Sequence, residues 1–236
     1  MTEALYLHDS YINEFTANVV SSGNREIILD ATAFYPSSGG QPNDTGTIHL
    51  NGTEASFNVV DVVKKNGQIV HVVDSDGLSP GDNVTGEINW SRRYVLMRMH
   101  TAAHILSSVF NKESGVLITG NQLGVDKSRI DFNMEIIDRE KINNYIEAAN
   151  KIIAENIAIE MTVVKREDAL KIPDVVKLAG ALPPNIPELR LVKIGSYDLQ
   201  ADGGCHVNNT SEIGKIELIS VENKGKTNRR IYYKVI

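Results

Sequence analysis

The 236 residues include 24 lysines and arginines against 30 aspartates and glutamates, and the formal charge of -6 excludes broad, sequence-blind affinity for nucleic acid while allowing a local basic patch. A hydrophobic share of 42% beside 23% charged residues excludes disordered and fibrous classes. No apolar run reaches membrane-spanning length and the Met-Thr-Glu-Ala start has no basic, then apolar, leader, so a cytoplasmic chain with no membrane partner is expected, and a single cysteine excludes an internal disulfide.

From residue 1 to about Trp90 the chain reads as short strands. Glu26–Asp30, Gly46–Leu50, Phe57–Val63, Gln68–Val73 and Asn83–Ile88 are rich in β-branched residues. Turn signals such as Asn51-Gly52, Asn66-Gly67, Asp76-Gly77 and Pro80-Gly81-Asp82 separate them. Strands at this spacing, with no helical period between them, predict a small antiparallel barrel over residues 1–88. His49 and His71 lie in these strands and are read as surface or half-buried residues, not ligands. One segment, Phe34 to Gly46, departs from an ordinary turn. Its adjacent Gly39 and Gly40 let backbone amides approach a ligand, and Gln41 offers a donor and an acceptor beside them. A flexible hairpin loop is the plain alternative.

The second unit is expected over 89–236. Ser91 is a candidate N-cap for a long helix, on which Leu96, Met99, Ala103, Leu106 and Phe110 form an apolar stripe. Val116–Gly120 and Lys127–Phe132 resemble paired strands. The strongest helical pattern runs from Asp138, as cap, to Asn156, with Ile142, Tyr145, Ile146, Ala149, Ile152 and Ile153 on one face. A strand follows over 157–165, then a short helix over 167–171 ended by Pro173, and an irregular connection at Pro183-Pro184-Asn185-Ile186-Pro187. Strands return over 189–194, 215–221 and 230–235. Helices laid on a mostly antiparallel sheet make this unit, and the chain as a whole, α+β.

The chemistry concentrates on the long helix. His100 and His104 are four apart and face the same way, so they can grip one metal ion. Zinc usually wants three or four protein ligands, and the sequence supplies more about a hundred residues downstream. There Asp202-Gly203-Gly204-Cys205-His206 holds a carboxylate, the only cysteine and another imidazole around one tight turn. Without that segment the pair reads equally well as two partly exposed helix histidines. Cys205 is a core residue, a ligand or a reactive thiol.

Taken together, Phe-Tyr-Pro-x-Ser-Gly-Gly-Gln at 34–41, Arg-Arg at 92–93, His-x-x-x-His at 100–104, Gln-x-Gly at 122–124, Arg-x-Asp-Phe at 129–132 and Gly-Gly-x-His-Val-x-Asn-Thr-x-x-Ile-Gly at 203–214 resemble the editing domain of alanyl-tRNA synthetase. As a free-standing chain this arrangement resembles the medium-length AlaX trans-editing family. The resemblance implies a barrel like the second domain of translation elongation factors, followed by the editing domain shared with threonyl-tRNA synthetase. It further implies a zinc-dependent hydrolase of mischarged tRNA(Ala), chiefly of the seryl ester and secondarily of the glycyl ester. One Zn2+ per chain and the tRNA acceptor end are its expected partners, with no DNA.

On that resemblance, His100, His104, Asp202 and His206 are the expected metal ligands. Gln41 and Cys205 are the catalytic candidates, and Gly39, Gly40, Arg92 and Arg93 are expected to bind substrate, with the barrel loop reading the serine hydroxyl. For tRNA the candidates also include Arg98, Arg129, Lys224, Lys226, Arg229 and Arg230. The chain departs from the family at one place, where the usual motif is Cys-x-x-x-His. Asp202 stands at the cysteine ligand, and Cys205 replaces a threonine. Carboxylate oxygen serves zinc at nearly the imidazole distance, so Asp202 completes the site, with Cys205 as its rival and three histidines plus water as a third arrangement. Two other functions compete: a zinc hydrolase of a small ester or amide, and a non-catalytic RNA-binding module with a structural zinc. Thr101 stands where a zincin peptidase carries its glutamate base.

Overall fold

The computed structural model describes residues 2–136, 138–172, 175 and 187–236. The chain divides into two compact units, Met1–Val95 and Leu96–Ile236. In the first, β1 (Glu3–Ala4) pairs in parallel with β4 (Ala31–Thr32). Six strands close a barrel: β2 (Glu14–Gly23), β3 (Glu26–Leu29), β5 (Gly46–Leu50), β6 (Ser56–Lys65), β7 (Gln68–Val73) and β8 (Asn83–Ile88). Their order around it is β2-β3-β7-β6-β5-β8, and every pairing is antiparallel. Alternation explains the closure, because Phe15, Ala17 and Val19 of β2 turn inward between exposed neighbours. Strand β2 was not among the expected strands.

His71 corrects the surface reading of the barrel histidines. It is fully buried and meets Phe34 edge to face at 5.6 Å. Its Nδ1 lies 3.1 Å from the Ile27 carbonyl and its Nε2 2.8 Å from Thr32 Oγ1. The carbonyl only accepts, so Nδ1 bears the hydrogen and Nε2 accepts from Thr32. Burial, opposed only by the Ile27 hydrogen bond, lowers the His71 pKa to about 4. A histidine with a depressed folded pKa loses stability as pH falls, because the unfolded chain binds a proton that the folded one refuses. The shift from 6.5 to about 4 amounts to roughly 3 kcal/mol. Wild type is expected to lose that stability between those values and His71→Gln to lose much less. Parallel urea melts across the window would test this, and parallel pH profiles would show that His71 does not carry the dependence.

The 35–44 segment is a fastened turn, not a slack hairpin. Asp44 accepts the Tyr35 amide at 2.6 Å, and the Asp44 amide donates back to the Tyr35 carbonyl at 3.0 Å. Ser38 and Gln41 exchange backbone hydrogen bonds of 3.1 and 2.9 Å. Between them Gly39 and Gly40 sit at φ 58° and 86°, a region where side chains are strained.

Helix α1 (Trp90–Ser114) opens with Asn89, not Ser91, as the capping side chain, since Asn89 Oδ1 accepts the Arg92 amide at 3.2 Å. From Leu96 to Phe110 every residue except Arg98 is buried, so the expected single stripe is instead a helix enclosed on all sides. In the second unit a four-stranded antiparallel sheet runs β14 (Ile216–Asn223), β15 (Arg229–Val235), β10 (Ser128–Phe132) and β9 (Ile118–Gln122). Phe110 of α1 stacks on Phe132 at 4.5 Å, and Tyr233 donates to the Met99 carbonyl at 2.8 Å. Helix α2 (Arg139–Ala154) starts at Asp138, whose side chain accepts the Lys141 amide, and buries Ile142, Ile146, Ala149, Ile152 and Ile153. A second sheet orders β11 (Ile159–Lys165), β12 (Glu188–Ile194) and β13 (Asp198–Ala201), with the short α3 (Arg166–Ala169) after β11. The expected helix stop at Pro173 and the connection at 183–186 lie outside the described residues. No helix among the described residues is long and apolar enough to cross a membrane.

Candidate metal centre

Strand β13 and the turn after it bring the downstream motif to α1. Asp202 donates its amide to the Arg190 carbonyl of β12 at 2.9 Å. The Arg190 guanidinium in turn donates to the carbonyls of Asp202 and Gly204 at 3.2 and 2.7 Å. Beyond the turn, Asn209 and Glu212 form a reciprocal capping box at a 3-10 turn over Thr210–Ile213. His206 is thus held between two fastened segments.

Side chains of His100, His104, Asp202 and His206 converge, each offering a ligand atom within 4.8 Å of all the others. Nε2 of His100 and of His104 lie 3.5 and 3.9 Å from Asp202 Oδ2, and Nε2 of His206 lies 3.3 Å from Oδ1. The rings of His100 and His206 stack at 4.3 Å. All three imidazoles are buried, whereas the Asp202 side chain keeps 23% exposure, so the carboxylate marks the side open to solvent. No other such group of metal-ligating side chains occurs among the described residues.

Groups around the cluster fix the histidines. His104 Nδ1 lies 2.9 Å from Asp198 Oδ2, a carboxylate that also accepts from Gln200 at 2.9 and 3.1 Å. His206 Nδ1 lies 3.1 Å from Thr101 Oγ1. Burial and the His100 imidazole push the His206 pKa well below its ordinary value against the pull of Asp202. Burial also opposes charge on His104, yet hydrogen bonds to Asp198 and Asp202 hold its pKa up at about 9. Burial likewise opposes ionisation of Asp202, but the interaction with His100 and the hydrogen bonds from His100, His104 and His206 together outweigh it, leaving this carboxyl well below its usual range. A carboxylate ringed by three imidazole Nε2 atoms is a donor set that fits a divalent cation, and the buried carboxylate behind His104 is a usual support for such a ligand. Sequence reasoning missed Asp198, whose spacing from His104 gives no signal; it missed Thr101 except as the absence of a glutamate.

The other expected site residues have the following surroundings, each within its own unit. Cys205 is completely buried and its sulfur is not among the converging atoms. Arg93 was expected from sequence to contact substrate and tRNA. Its side chain has no exposure; it forms a buried ion pair with Asp44 and donates to the carbonyls of Ser10 at 2.9 Å and Ala33 at 2.6 Å. Arg92 is partly exposed at the same turn and donates to the Asn43 carbonyl at 3.1 Å. Gln41 is buried in the Gly39-Gly40 turn. Arg229 is buried among the carbonyls of Glu135, Gly225 and Asn228. Arg98 donates to the Ile213 and Ile236 carbonyls, and Arg129 and Arg230 share Asp131.

Two family models match. "tRNA synthetases class II (A)" covers residues 3–92, and "Threonyl and Alanyl tRNA synthetase second additional domain" covers residues 189–232. The alanyl-tRNA editing protein AlaX-M of Methanosarcina barkeri is 46% identical over 242 residues, covering 100% of both chains. That of Saccharolobus solfataricus is 46% identical over 237 residues, covering 100% of this chain and 99% of its own. The alanine–tRNA ligase of Hyperthermus butylicus is 38% identical over 224 residues, 94% of this chain but 24% of the ligase. With its barrel, its α+β second unit and full-length identity of this order, the chain belongs to the alanyl-tRNA editing protein family of the AlaX-M kind.

Proposed function

We propose that this chain is a zinc-dependent deacylase that hydrolyses mischarged tRNA(Ala), chiefly the seryl ester and secondarily the glycyl ester. The convergence of His100, His104, Asp202 and His206 in a chain of the alanyl-tRNA editing family carries the reading. These four residues hold one zinc ion per chain, whose Lewis acidity would act beside the ester. An aminoacyl ester is already activated, so the protein's task is to orient it and a water and to stabilise the developing oxyanion. Gln41 and the amides of Gly39 and Gly40 are assigned to reading the seryl side chain and the ester. A site that hydrogen-bonds the serine hydroxyl leaves its own polar groups unpaired against alanine, which discriminates far better than a lost methylene. The exposed edge of Asp202 favours this catalytic reading over a closed structural zinc.

The test is parallel incubation with Ser-, Gly- and Ala-tRNA(Ala), with and without a chelator. Serine release at least roughly 100-fold faster than alanine release, and abolished by chelation, is expected. Equal rates, or none, would overturn the proposal. The fourth ligand has its own prediction. Asp202→Ala should weaken zinc by about 10- to 100-fold, while Cys205→Thr leaves zinc content and deacylation near wild type. The reverse pattern would make the thiolate the ligand.

A further inference from the structure

Thr101 is fully buried on α1, one residue past His100, and its hydroxyl has three neighbours. Oγ1 lies 3.0 Å from the Met97 carbonyl, 3.1 Å from His206 Nδ1 and 3.3 Å from the Val207 amide nitrogen. A hydroxyl has one proton and two lone pairs. The Met97 carbonyl can only accept, so it takes the proton. The Val207 amide can only donate, so it takes one lone pair. The second lone pair is what remains for His206, and Nδ1 must therefore carry a hydrogen. In a neutral imidazole this leaves Nε2 bare, and Nε2 is the nitrogen that stands 3.3 Å from Asp202 Oδ1 inside the cluster. With Nε2 bare, a cation between these two acceptors turns an unfavourable approach into a favourable one.

We propose that Thr101 is a positioning residue that holds His206 in the Nδ1–H tautomer and so presents the Nε2 lone pair to the metal ion. The proposal rests on the metal reading above. A hydroxyl achieves this without adding charge. His104 is fixed by the carboxylate of Asp198 instead; Asp198 and Asp202 together already match a divalent cation. A third carboxylate at position 101 would leave net negative charge buried, which is costly.

Two variants and one spectrum test this. Thr101→Val keeps the branched shape and removes the hydroxyl, whereas Thr101→Ser keeps the hydroxyl. In competition with a chromophoric chelator, Thr101→Val should bind zinc about 10- to 100-fold more weakly, and Thr101→Ser should stay within about threefold of wild type. Long-range 1H–15N spectra of the zinc-free wild type at mildly alkaline pH should show His206 protonated on Nδ1, an assignment that needs no variant to fold. Folded Thr101→Val with wild-type zinc affinity, or a wild-type spectrum with the hydrogen on Nε2, would overturn the proposal. His206→Ala separates the two levels. If that variant kept its zinc, the metal reading itself would fail, whereas zinc loss there with full affinity in Thr101→Val would sink the positioning role alone.

Discussion

His100→Ala is expected to lower zinc affinity by at least about 100-fold, leave the purified chain largely metal-free after dialysis, and abolish seryl ester release. The reason lies in how tightly the four ligand atoms are gathered: each is within 4.8 Å of the others, and three belong to buried rings. Removing His100 leaves three of the four converging ligand atoms. Zinc bound as proposed would also stabilise the fold by mass action, by about 4 kcal/mol at a thousandfold excess over Kd. The variant should therefore lose most of the melting-temperature rise that zinc gives wild type. His49→Ala, at a partly exposed barrel histidine, should behave as wild type in every respect. Stoichiometric zinc in His100→Ala by elemental analysis would remove the metal assignment.

Arg93→Ala is expected to destabilise the barrel unit by about 3 to 5 kcal/mol, the usual consequence of leaving one member of a buried ion pair alone. Asp44 would then be buried without its guanidinium, and the carbonyls of Ser10 and Ala33 would lose their donor. Asp44→Ala should cost a similar amount, since it also releases the Tyr35 amide that closes the 35–44 turn. A double-mutant cycle should show strong coupling, because the two substitutions remove the same interaction. Urea melts measure all three, and tRNA affinity of the folded fraction provides the contrast. Unchanged stability with weakened tRNA binding in Arg93→Ala would return this arginine to the phosphate contacts expected from sequence.

Arg93 and His71 show where a sequence stops speaking. An Arg-Arg pair at the start of a helix reads as a solvated, phosphate-seeking face, yet only Arg92 keeps exposure. A histidine in a strand reads as half-buried, yet His71 is sealed against Phe34. Both outcomes depend on polar partners brought from 39 to 83 positions away, and no local pattern announces them.

The sequence by itself determined most of the barrel, the capped helix α2, the paired strands and the His100–His104 pair. These follow from properties local to the chain: alternation along a strand, the i, i+4 geometry of a helix, and turn residues at fixed offsets. Only the tertiary structure decided that α1 is enclosed on all sides, that Asp202 and not Cys205 stands among the converging atoms, and that Asp198 and Thr101 set the orientation of His104 and His206. Those are matters of which buried donor meets which buried acceptor across about a hundred residues. Every such group must find a partner once water is removed, but which partner it finds is fixed by packing and not by its neighbours in the chain.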